Sequence, residues 1–366
     1  MKDCGLLKPL CAMNAIVKNE HIYMVDKDTW LFLDYNLSNH NYSIVADLSN
    51  EPKEYNCTIQ KIIEYENEFW FIQRKSKELI SLSNKNYIKR YYAGERVDKY
   101  HLYYEACISD NKIYMLPMYT SGNISIFDID SKCFIHEIAL SVVMSKYGLD
   151  FFNGEISYLF DNTGNFVKFC INGGNMLYKL ELKSLSLSVE FLGKNTLGSI
   201  GGNYEFPMVS LYQSNIYMVK NGKWIEKRPI VRFVNKENTE YDIAFLIKYG
   251  NKEFIMSNSF DSLVEVDSKG ECVGTFYLPN DIEVSNDRNT SWLYSCCIQN
   301  ERKLFFIPCK VNKMVIFDMD TEKFEKHSII ISNVDLYKIN RFCKKGIAIR
   351  EGGDISIKSL LRKILS

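Results

Sequence analysis

A repeated hairpin constrains this chain more than any other feature. Asn111-Lys112-Ile113-Tyr114-Met115-Leu116-Pro117 is followed by Ile124-Ser125-Ile126-Phe127-Asp128-Ile129-Asp130-Ser131-Lys132-Cys133-Phe134. The same order and spacing, to within one residue, return in Arg302-Lys303-Leu304-Phe305-Phe306-Ile307-Pro308 and Met314-Val315-Ile316-Phe317-Asp318-Met319-Asp320-Thr321-Glu322-Lys323-Phe324. Weaker copies of the apolar start begin at His21, Glu68, Asn165, Asn215, Lys252 and Gly346. That makes eight hairpin starts, spaced about 45 residues apart, a period that suits a unit of four short strands.

Residues 101–138 illustrate the unit. The pattern predicts strands at Tyr104 to Ile108, Lys112 to Pro117, Asn123 to Phe127 and Cys133 to Ile138, joined by Asp, Asn, Ser and Gly turns. A sheet this thin cannot cover both of its faces. Packing each between two neighbours buries them, and closing the series removes the open ends. The expectation is an all-β, closed β-propeller of four-stranded antiparallel blades filling residues 1–366 as a single domain, with eight blades favoured and seven the near alternative. Residues 2–9 are expected to complete the last blade. The aspartates of the repeated Phe-Asp-x-Asp turn are expected to cap the link between third and fourth strands, a scaffold role in preference to metal binding.

These residues resemble the Kelch family, whose units carry an apolar Ile-Tyr-Val strand and, later, an aromatic-Asp turn followed by an aromatic residue. The resemblance spans most of the chain in period and is concentrated in the two strong copies. One departure is clear: Leu116-Pro117 and Ile307-Pro308 stand where Kelch repeats have a Gly-Gly pair. The resemblance implies the propeller fold. It does not bring a radical-copper site, which needs a histidine-rich ligand set.

Composition agrees with a strand-rich chain. Tyr and Phe number 24 and 22 against 7 Pro, and aromatics suit pleated, half-buried strands. Lys plus Arg is 45 and Asp plus Glu is 45, so no net field draws the molecule to nucleic acid or to an anionic membrane. The basic run Lys223-Trp224-Ile225-Glu226-Lys227-Arg228 is broken by an acid and reads as solvated surface. Asp3 and Pro9 interrupt the N-terminal apolar stretch that a signal peptide needs. No stretch reaches the length of apolar residues that spans a bilayer. The 11 cysteines are scattered, odd in number and without a Cys-x-x-Cys, which points to free thiols in a reducing, cytoplasmic setting.

No hydrolase or phosphate-loop signature is present. Gly198-Ser199-Ile200-Gly201-Gly202 opens no recognisable helix and reads as a flexible rim loop. Only five histidines occur, each in a different region, so no metal site and no cofactor are expected. The segments entering the inner strands hold the candidate residues. Tyr104, Tyr204, Trp292 and Tyr294 offer rigid stacking surfaces with polar tips, and Arg288 suits an anionic group. Glu105 and Glu205 are the candidate acid-base pair. With no catalytic signature, the leading expectation is a binding scaffold that recruits a protein, peptide or carbohydrate ligand through one face. The alternative is an enzyme (hydrolase, lyase or isomerase) acting on a glycan, sugar derivative or peptide at a channel mouth.

Overall fold

The computed structural model describes residues 8–49, 58–84, 87–93, 102–147, 154–160, 165–191, 196–199, 201–202, 208–211, 215–220, 223–227, 245–256, 262–267, 272–282, 284 and 293–331. Among the described residues the chain is built from short antiparallel strands in sequence order. The first blade comprises Ala12–Lys18, His21–Asp26, Leu31–Asn36 and Tyr42–Asp47. The second comprises Ile59–Tyr65, Glu68–Gln73, Glu78–Leu82 and Ile88–Tyr92. Tyr103–Ser109, Lys112–Pro117, Asn123–Asp128 and Cys133–Ala139 form the third. Ile156–Phe160, Phe166–Ile171, Met176–Glu181 and Ser186–Phe191 form the fourth. The fifth has Thr196–Ser199, Met208–Leu211, Asn215–Lys220 and Lys223–Lys227, and the last has Tyr294–Asn300, Lys303–Pro308, Lys313–Asp318 and Lys323–Ser328.

The blade count corrects the sequence expectation. Among the described residues six sheets are four-stranded antiparallel blades, against the eight, or seven, expected. Phe245–Tyr249, Lys252–Met256, Ser262–Val266 and Cys272–Tyr277 belong instead to a five-stranded sheet, in which Gly201–Gly202 pairs in parallel with Phe245 and Leu246. Lys8–Pro9 and Ile330–Ile331 make a separate two-stranded ribbon. Counting hairpin starts overcounted these blades because the hairpin at Lys252 lies in the sheet that takes Gly201–Gly202 as an added parallel strand. The glycine-rich segment, expected as a loop, supplies parts of two edge strands, Thr196–Ser199 and Gly201–Gly202. The eighth hairpin start, at Gly346, lies outside the described residues, as do residues 2–7.

The hairpins form for local reasons. Glu66-Asn67 and Asp110-Asn111 link first and second strands with positive φ at both residues (51° and 62°, 49° and 55°), the backbone twist that two-residue hairpins require. Between third and fourth strands, Asp128 Oδ1 accepts the Ser131 N–H and Oγ–H, each at 2.7 Å. Asp318 Oδ1 accepts the N–H groups of Asp320 and Thr321, and Asn36 Oδ1 those of Ser38 and Asn39. Each turn then closes on a residue of positive φ four positions after the capping side chain: Lys132, Glu322 and His40. The repeated aspartate therefore holds a turn together.

The chain divides into two compact units, Met1–Ile62 with Leu278–Ser366, and Ile63–Tyr277. In the second unit the third blade shows why all of Ile113 to Pro117 is buried. Ile113, Met115 and Phe127 pack with Trp70, Ile72 and Leu79 of the second blade. Tyr114, Leu116, Ile124 and Ile126, on the opposite face, pack with Val167, Phe169 and Leu180 of the fourth. Side chains alternate across a strand, so a continuous apolar run serves two neighbours at once. The helix Leu140–Ser145 adds Leu140, Val143 and Met144 to the same cluster, at the spacing of one helical face. The fourth strands Cys133–Ala139 and Lys323–Ser328 carry mostly exposed residues. In the first unit, Ile22, Met24, Leu31, Leu33 and Tyr35 of the first blade pack with Phe305, Ile307, Met314 and Ile316 of the last. No helix among the described residues is long and apolar enough to cross a membrane.

Candidate functional site

Of the residues singled out from sequence, Tyr104, Glu105 and Tyr294 are described, whereas Tyr204, Glu205, Arg288 and Trp292 lie outside the described residues. The proposed pairing of Glu105 with Glu205 thus falls outside them too. Tyr294 is fully buried, with its ring centroid 5.6 Å from that of Phe306, and burial pushes its phenol well up. Its place in the core follows from register. Tyr294 pairs with Pro308 before a register shift, as Tyr103 pairs with Pro117 in the third blade. Tyr103 is likewise buried, and its hydroxyl shares a 2.6 Å hydrogen bond with Ser125 Oγ. The residue that the shift in the third blade sets apart is Tyr104, which lies between Tyr103 and Glu105 and is half-buried. A bulge re-aims the side chain it displaces.

Tyr104 stands among charges brought by two other segments. Burial raises its phenol, Glu105 and Glu155 raise it further, and Arg74 opposes them. Tyr104 is therefore a neutral hydroxyl at neutral pH. Arg74, which sequence reasoning missed, follows the second strand of the second blade. Its carbonyl accepts the N–H groups of Leu102 and Tyr103 at 2.7 and 3.3 Å, which fixes the entry to the bulge. Its Nη2 donates to Met118 Sδ at 3.5 Å, while its Nε is buried with no hydrogen-bond partner among the described residues. Glu155 is positioned from the fourth blade. A bridge pairs it with Tyr119, Gly154 exchanges hydrogen bonds with Thr120, and Ile156 N donates to Met118 O at 2.8 Å. Beneath them Tyr158, held by a 2.6 Å bond from its hydroxyl to Pro117 O, has its phenol raised by burial and then by Glu105 and Cys107.

The arrangement joins one aromatic platform, two carboxylates and one guanidinium whose Nε lacks an acceptor. Such a set complements a ligand carrying both an acceptor and an N–H or ammonium group. Sequence offered a signal for Tyr104 and Glu105 in the aromatic-polar entry to the strand. It offered none for Arg74 and Glu155, whose surroundings give no local pattern and whose role depends on how successive blades pack.

No protein-family model matches the chain, and no curated protein sequence matches it. Solved structures do resemble it. Selenomethionine-substituted virginiamycin B lyase from Staphylococcus aureus is 12% identical, with a TM-score of 0.58 over 84% of this chain and 97% of the other. YCF48 from Cyanidioschyzon merolae is 11% identical, with a TM-score of 0.56 over 86% and 98%. YCF48 bound to D1 peptide is 9% identical, with a TM-score of 0.54 over 84% and 93%. At these identities the likeness concerns the fold, and with the four-stranded antiparallel blades it supports a β-propeller.

Proposed function

We propose that this chain is a binding scaffold that recruits a peptide segment of a partner protein through Arg74, Tyr104, Glu105 and Glu155. The observation that carries the reading is the buried Arg74 Nε, which has no acceptor among the described residues beside the bulged Tyr104. A buried donor left unmatched is costly, and a peptide carbonyl or carboxylate relieves that cost once the half-buried Arg74 side chain turns outward to meet it. The two carboxylates then take a peptide N–H or ammonium group, and the Tyr104 ring covers an adjoining apolar side chain. YCF48, of similar fold, is bound to a peptide in one of the solved structures. In this reading the propeller is of Kelch-like repeats, on the strength of the two strong copies, and works in the cytoplasm. The odd number of scattered cysteines, 11 in all, supports a reducing setting.

The test is a fluorescence-anisotropy screen of a positional peptide library against the protein and its Arg74→Gln and Tyr104→Ala variants. The reading expects retained peptides whose affinity falls about tenfold or more in each variant. Retention of no peptide, or equal retention by both variants, contradicts it. Turnover of a retained peptide assigns the same residues to the enzymatic alternative.

A further inference from the structure

The first unit brings together two histidines far apart in sequence. His40 closes the capped turn after Asn36, at φ 59°, where its N–H donates to Asn36 O at 2.9 Å. Its Nδ1 lies 3.1 Å from the Tyr35 hydroxyl. Glu325 and His327 lie two residues apart on the outer strand of the last blade, and alternation therefore puts both side chains on one face. The imidazoles of His40 and His327 stack with centroids 3.8 Å apart and planes 16° from parallel. One ligand atom from each of His40, Glu325 and His327 falls within 4.8 Å of the others. Nearby, Tyr42 Oη donates to Ile330 O at 2.5 Å, so both elements are held in place beside the cluster.

We propose that His40, Glu325 and His327 form a binding site for a first-row transition dication of the zinc type, which clips the turn of the first blade to the outer strand of the last. Two imidazoles and one carboxylate are a ligand set that such ions take, with a fourth position left for water. His327 Nε2 is buried with no hydrogen-bond partner among the described residues, and it sits 3.9 Å from Glu325 Oε2. Donors about 2.0–2.1 Å from a tetrahedral ion are roughly 3.4 Å apart, so this pair needs only a small contraction. The Tyr35 contact at His40 Nδ1 leaves Nε2 as the ligand atom.

Two features oppose the ion. The stacked rings must tilt apart, because a metal lies in the plane of each imidazole it binds. His40, on a turn, is free of the strand ladder that would resist this. Lys303 Nζ sits 3.4 Å from Glu325 Oε2 and competes as a cation for the same oxygen. Its removal is therefore expected to tighten binding.

Calorimetry with zinc chloride on untagged full-length protein, and cobalt(II) absorption on the same samples, test the site. The expected results are one equivalent bound, a visible cobalt spectrum without thiolate charge-transfer bands, and a Tm raised by about 3 °C in excess zinc. His40→Gln and His327→Gln each weaken binding tenfold or more, whereas Lys303→Gln strengthens it severalfold. His21→Gln, which removes a histidine paired with Asp34 on the same blade, leaves binding unchanged. Circular dichroism of each variant separates loss of a ligand from loss of fold. Zinc bound equally by the wild type and His327→Gln, weaker binding by folded Lys303→Gln, or a thiolate-type cobalt spectrum overturns the proposal.

Discussion

Tyr103 and Tyr294 occupy the same place in two blades. Each opens the first strand, pairs with the proline that ends the second, and precedes a register shift. They differ in one atom's surroundings. The Tyr103 hydroxyl meets Ser125 Oγ, whereas the buried Tyr294 hydroxyl has no hydrogen-bond partner among the described residues.

That difference predicts opposite outcomes for one substitution. Tyr103→Phe breaks a buried hydrogen bond and leaves Ser125 unmatched, at a cost of about 1–2 kcal/mol. Tyr294→Phe removes an unmatched hydroxyl and is expected to be neutral or stabilising. Urea unfolding of both variants decides the matter, and equal losses would contradict the assignment.

Phe127 is fully buried and touches the rings of Trp70, Tyr91 and Phe134, with centroids 4.9–5.4 Å away. Phe127→Ala opens a cavity where the second and third blades meet and is expected to cost about 3–5 kcal/mol. A loss below about 1 kcal/mol in chemical denaturation would show that these blades do not depend on that contact.

Asp281 links two lysines of the last blade. Hydrogen bonds from Lys326 and Lys313 hold its carboxyl down at about 2, below the roughly 3.9 of an unfolded Asp. Its contribution to stability is therefore fully present above about pH 4 and is lost as pH falls through about 2. The group is exposed, so added salt weakens the effect. Carbon-detected NMR titration should place its midpoint near 2, and a midpoint near 4 would show that the clamp does not form in solution.

Thiol reactivity should follow burial. Cys133 and Cys272 are exposed, while Cys170 is buried and its thiol is pushed up to about 12. Brief iodoacetamide treatment of native protein is expected to label Cys133 and Cys272 well before Cys170. Mass spectrometry reads the order, and early labelling of Cys170 would contradict the packing of the fourth blade.

Much of one blade was legible from sequence. Strands expected at 104–108, 112–117, 123–127 and 133–138 occur at Tyr103–Ser109, Lys112–Pro117, Asn123–Asp128 and Cys133–Ala139. Alternation and turn chemistry are local, and local signals carry them. The number of blades was not legible, because Gly201–Gly202 joins Phe245 and Leu246 through backbone pairing that no side-chain pattern announces. Tyr294 was misleading for a related reason: an aromatic at the entry of a first strand reads alike whether it points to solvent, as a platform would, or fills the core as this one does. Arg74, Glu155 and the meeting of His40 with His327 depend on contacts between blades, and their sequence neighbours do not encode them.

The proposed docking site is the bulged face around Tyr104. Hydrogen exchange read by mass spectrometry, with and without a peptide retained in the library screen, tests this directly. The expected result is slowed exchange in residues 72–76, 102–106 and 154–156, absent in Arg74→Gln. Protection confined to the fourth strands, or no protection at saturating peptide, would contradict it.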